Sequence, residues 1–96
     1  MSGRADDVQN ALNDWHHWLT HVKRASRHTV VSYQHDMGQF LSFMTEHLGQ
    51  AVSIQHLRKL EPRDIRAWLA SRTETYEAAS TARALSTVKN FFRRLE

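Results

Sequence analysis

The chain has no cysteine, a single proline and three glycines among its 96 residues. Without cysteine, neither a disulfide framework nor a thiolate zinc site can form. The scattered glycines give no Gly-rich loop that would cradle a phosphate. No stretch alternates apolar and polar residues at the period of two that marks a half-buried strand, and there is no repeat or low-complexity tract. No run approaches the roughly 20 apolar residues of a membrane-spanning helix, and "MSGRADDVQN" lacks the apolar core of a secretory leader. What remains is an ordinary globular composition, 41% hydrophobic and 24% charged, in a length that allows one core and one domain over residues 1–96. A cytoplasmic, all-α protein is expected, with residues 1–5 disordered.

Helical periodicity supplies the elements. Between Val8 and Val22, the residues Val8, Ala11, Leu12, Trp15, Trp18, Leu19 and Val22 fall in one arc, with Asp6 as the expected N-cap and Gln9 completing a weak capping box. A second, long helix is expected to begin after Ser26, a favoured N-cap residue, and to end at Gly49 as its C′ residue. It buries Val30, Tyr33, Met37, Phe40, Leu41, Met44 and Leu48. "GQAVSIQHLRKL" reads as a packed connection with one short helical turn. Pro62 marks the first turn of a third helix, where its fixed φ and missing N–H are tolerated, and Asp64 complements that helix's dipole. The fourth helix is "STARALSTVKNFFRRL", Ser80 to Leu95, with Leu85, Val88, Phe92 and Leu95 on a stripe flanked by Ala84 and Phe91. The expected architecture is a four-helix bundle of two crossed helical hairpins.

Acid is missing where base is dense. Residues 79–96 carry four cations and one acid, and residues 23–36 carry three cations and one acid, although the net charge is only +3. The outer half of the fourth helix holds Arg83, Lys89, Arg93 and Arg94 among Ser80, Ala82, Ser86, Thr87 and Asn90, with no Asp or Glu. Such asymmetry points to a polyanionic partner, nucleic acid or an anionic membrane surface, with two solvated charged faces as the alternative reading of the same residues. The apolar stripe of so short a chain is needed for the core, which favours nucleic acid over a membrane. The first block, Lys23, Arg24, Arg27 and His28, stands at the second helix's N-terminus, where free backbone N–H groups and the dipole favour a phosphate. Ser26 and Thr29 could add hydroxyl donors there. On this reading Arg83 and Lys89 are surface residues whose truncation is nearly silent for stability, whereas Phe92 belongs to the core.

The other reactive side chains carry little. His17 and His21 lie four apart, but no third ligand and no HExxH pattern accompany them, so they read as a solvated helix face and no metal or cofactor is expected. Tyr33 falls on a buried face, Tyr76 has no Arg and His cluster about it, and Trp15, Trp18 and Trp68 fit core spacing.

Three segments together resemble a known family. "SRHTVVSYQHDMGQFLSFMTEHLG", "LEPRDIRAWLASR" and "STARALSTVKNFFRRLE" are similar to the N-terminal core-binding, or SAM-like, domain of tyrosine recombinases and phage-type integrases, a likeness that runs from about Trp15 to Glu96. Its most specific part is the ordered set Ser26, Thr29, Tyr33, Asp36 and Phe40 with Ser80, Ala82, Arg83, Leu85, Ser86, Phe91 and Phe92. The resemblance implies a bundle that forms one half of a clamp around double-stranded DNA, with the second and fourth helices approaching the major groove. By position it implies contacts from Arg27, His28, Thr29, Ser32 and His35, and from Ser80, Arg83, Ser86, Lys89, Asn90 and Arg93. Lys23, Arg24 and Arg94 join this set from charge alone. In the family a tyrosine attacks the phosphodiester from a C-terminal domain that is expected to be absent here, so the chain should bind, as a monomer, without cutting. The parent protein would resolve chromosome dimers or integrate mobile DNA together with other recombinase subunits. A helical protein–protein interaction module is the alternative.

Overall fold

The computed structural model describes residues 4–95. The chain forms α1 (Asp6–His17), a π-helical turn (Trp18–Val22), α2 (Arg27–Leu48), the short α3 (Ile54–Arg58), α4 (Pro62–Thr73) and α5 (Ala78–Leu95). The four helices expected from periodicity are α1, α2, α4 and α5, and α3 is the short turn expected within the connection. The fold is an all-α, SAM-like bundle. Of the five N-terminal residues expected to be disordered, the first three lie outside the described residues. Arg4 pairs with Val52 in an isolated bridge, and Ala5 donates its N–H to the Val52 carbonyl (2.9 Å).

Local chemistry sets most helix ends. Thr29 donates its N–H to Ser26 Oγ (3.1 Å), and Gly49 closes α2 at φ 75°, a left-handed conformation that glycine adopts without a Cβ penalty. Pro62 opens α4. There Asp64 Oδ2 accepts the Glu61 N–H (2.8 Å) while His47 Nε2 lies 2.8 Å from Oδ1. The Glu61 N–H bond, followed by the histidine, holds this carboxyl below its ordinary value. The first helix departs from expectation. Ala5, not Asp6, precedes it and makes no side-chain cap. Asp7 Oδ2 instead accepts the Ile54 N–H (3.2 Å), which ties the start of α1 to α3.

Aromatic side chains join the helices around α2. Phe40 meets Trp68 of α4 edge-on (centroids 4.9 Å apart), and Trp15 of α1 meets Phe91 of α5 in the same manner (5.3 Å). Trp15 also lies parallel to Tyr33, at 5.9 Å. Two stretches are rotated from the expected register. The π-helical turn takes in one more residue than an α-turn, so the buried arc of the first helix ends at Leu19 and Val22 is 65% exposed. On α5 the buried residues are Ala84, Thr87, Val88 and Phe91, while Leu85, Phe92 and Leu95 are only partly covered. Thr87 can be buried because its hydroxyl lies within hydrogen-bond distance of the Arg83 carbonyl (3.0 Å) and of Asp36 Oδ2 (3.1 Å).

Gly38 sits in the middle of α2, and a Cβ built there meets nothing within 4 Å. Gly38→Ala is therefore expected to raise stability by about 0.5–1 kcal/mol, chiefly by restricting the unfolded chain. Chemical denaturation of the two proteins checks it, and a loss of stability would contradict the open space beside Gly38.

Candidate functional site

The two helices that carry the expected site run antiparallel. Gln39 donates to the Tyr76 hydroxyl just before α5 begins, Asp36 binds Arg83 farther along, and Tyr33 and Phe91 both pack on Trp15. The N-terminal end of α2 thus lies toward the C-terminal end of α5.

In the middle of this seam is a carboxylate that hydropathy conceals. Asp36 is 0% exposed and receives Arg83 as a bidentate fork, with Nε donating to Oδ2 at 3.0 Å and Nη2 to Oδ1 at 2.9 Å. This bond raises the Arg83 pKa above its ordinary value. The Arg83 side chain as a whole remains 48% exposed. Arg83 is therefore not the free surface cation expected from its helix face: one edge of the guanidinium is held, and the remaining Nη1 edge is left to act. The acid-free character of the α5 face holds along the sequence and not in space, because Asp36 comes from α2 and Asp14 from α1, the latter accepting from Arg94 Nε at 3.1 Å.

The first basic block follows the π-helical turn. Arg24 adopts φ 54°, which lets Ala25 donate its N–H back to the Leu19 carbonyl (2.9 Å). The turn brings Lys23 Nζ to 5.8 Å from the centre of the Trp18 ring, and Arg94 Cζ lies 5.3 Å from the same ring. Trp18, Lys23, Asn90, Arg93 and Arg94 line one surface cleft. The two basic blocks, far apart in sequence, therefore meet. Helical spacing assigns Trp18 to packing and gives no signal for a partly covered ring set against two cations. Asn90 is also more than a surface residue, since its Oδ1 accepts the Trp15 indole N–H at 2.8 Å.

The remaining candidates are spread along both helices. Arg27, His28 and His35 are exposed on α2, and Ser32 is partly covered. Thr29 is committed to the α2 cap through its N–H and through the Ser26 hydroxyl, 3.0 Å from its own. On α5, Ser86 and Arg93 are exposed, and the Ser80 carbonyl accepts from Arg72 (3.4 Å). Lys89 is exposed but lines an apolar groove with Leu57, Leu60, Ile65, Leu85 and Phe92, away from Asp36. The His17 and His21 rings lie 4.5 Å apart, and among the described residues no group of three or more His, Asp or Glu is placed to hold a metal ion. Also among the described residues, no helix is long and apolar enough to cross a membrane.

A SAM-like helical bundle with basic residues gathered where two antiparallel helices adjoin places the chain in a class of small, all-α domains. The family described as "Phage integrase, N-terminal SAM-like domain" matches residues 12–96, and the chain belongs to that family. It is 41% identical over 90 residues to "Tyrosine recombinase XerC" of Rickettsia rickettsii (strain Sheila Smith) and 40% identical to the protein of the same name in Rickettsia typhi (strain ATCC VR-144 / Wilmington). Each alignment covers 93% of this chain and 30% of the relative, so the chain spans about 30% of the length of these curated relatives. No solved structure matches the chain at a significant level.

Proposed function

We propose that this chain is the DNA-binding domain of a XerC-like, site-specific tyrosine recombinase, and that it clamps duplex DNA through α2 and α5 while a separate catalytic domain cleaves and exchanges strands. The observation that carries this reading is the meeting of the two basic blocks. Lys23, Arg93 and Arg94 line one cleft with Trp18, and Arg27 and His28 begin α2 at the same end of the helix pair. Cations beside free helix N-terminal N–H groups suit phosphates, which supply affinity and orientation. Arg24 and Lys89 add charge on either flank. Thr29, Ser32, Ser80 and Ser86 are short enough to let a backbone come close. Arg83 and His35 are of the types that read base edges in the major groove. Tyr33 is stacked on Trp15 and the Tyr76 hydroxyl is bonded to Gln39, which suits a domain that binds and does not cut. On the same proposal the domain works beside other recombinase subunits in the cytoplasm.

The test is fluorescence anisotropy of a labelled duplex across a salt series. With about five phosphates neutralised, log K against log salt is expected to slope at about −4 to −5. A flat response, or equal affinity for anionic vesicles, would reject the reading. The apolar groove beside Lys89 favours a helical protein-interaction module instead, and a chain that ignores DNA at low salt and sediments as a tight dimer would place the function there.

A further inference from the structure

We infer that the cleft around Trp18 is a preorganised phosphodiester site, and that Trp18 and Asn90, rather than the cations alone, define it. The inference rests on the DNA-binding reading and locates where the duplex backbone is gripped. An indole N–H can only donate, so the Trp15 bond at 2.8 Å requires Asn90 to present Oδ1 inward. This leaves the Asn90 NH₂ as the unspent end of a side chain that lines the cleft. The cleft side chains then offer donors: the Asn90 amide, the Lys23 ammonium and the Arg93 and Arg94 guanidinium groups.

Three cations so close would repel one another, and of these only Arg94 is paired with a carboxylate among the described residues, Asp14 at 3.1 Å. The Trp18 ring offers another solution. Its π-face attracts Lys23 and Arg94 without neutralising them. Asp14 takes only Nε of Arg94 and leaves the Nη groups for a ligand. The π-helical turn is what makes this possible, because its extra residue swings Val22 out and carries Lys23 back over Trp18. An oxygen pair on one tetrahedral phosphorus, with one negative charge, matches a set of convergent N–H donors of this kind.

Trp15 and Trp68 are each 1% exposed, so iodide quenching of tryptophan fluorescence reports on Trp18 in the unmodified chain. Saturation with a short duplex oligonucleotide is expected to abolish that quenching, whereas phosphatidylserine vesicles are expected to leave it intact. Asn90→Asp keeps an acceptor for the Trp15 N–H but replaces the donor with an acid; it is expected to weaken duplex binding about tenfold with little change in melting temperature. Lys23→Ala, on the exposed turn, is expected to reduce the magnitude of the salt slope by about 0.9, the value for one phosphate. A duplex that binds while iodide still reaches Trp18, with the Lys23→Ala slope unchanged, would overturn this site and leave the DNA-binding reading standing. Protection by vesicles and not by duplex would also overturn it. Failure of the unmodified chain to bind duplex at low salt would remove both.

Discussion

Arg83→Ala is expected to destabilise the domain by roughly 2–3 kcal/mol, because it strands a carboxylate in the interior. Asp36 is 0% exposed, and without the guanidinium fork its remaining side-chain partner is the Thr87 hydroxyl at 3.1 Å. Loss of a partner in a fully buried pair costs about 3–5 kcal/mol; the lower figure applies because the Arg83 side chain is 48% exposed, so its truncation admits water beside the acid. A surface arginine reading would instead have put the change within about ±0.5 kcal/mol. The control is a double-mutant cycle with Asp36→Asn. If the stranded charge is the cause, the double variant should be more stable than Arg83→Ala alone, and thermal or urea unfolding measures both. Equal stability of Arg83→Ala and the unmodified chain would mean that Asp36 is served by something other than Arg83. The same change also removes a candidate DNA contact, so binding must be measured on the folded fraction.

The largest loss is expected from Phe91→Ala, at about 3–5 kcal/mol, against a smaller loss, about 1–2 kcal/mol, from Phe92→Ala. Phe91 is fully buried with its ring edge-on to Trp15 at 5.3 Å, so truncation leaves a cavity that the rigid indole cannot fill. Phe92 touches Phe40 but also lines the open groove, where neighbouring side chains and water can close over the vacancy. Urea denaturation of the two variants ranks them. The reverse order would mean that the fourth helix is turned as its apolar stripe alone suggests.

These contrasts mark how far the chain could be read before its structure. The helices, their order and several of their ends were legible because each depends on residues within one turn of one another. Ser26 meets the Thr29 N–H, Gly49 supplies a left-handed φ and Pro62 tolerates the first turn of α4. The charge asymmetry was legible too, since it needs only counting. The rotation of α5 about its axis was not. An arc of apolar residues leaves the buried centre uncertain by about one residue, and Thr87 became interior only because a carboxylate from α2 was there to satisfy it.

By itself, then, the sequence determined an all-α domain, several of the places where its helices start and stop, and two basic blocks separated along the chain, all consequences of local hydrogen bonding, periodicity and composition. The tertiary structure decided which donors remain available. It set Arg83 on Asp36, turned Asn90 by the Trp15 indole, and carried Lys23 and Arg94 to the Trp18 ring. The physical reason is that hydrogen-bond and cation–π partners are chosen by distance in space, and packing α1, α2 and α5 together brings within a few ångströms residues that no local pattern connects.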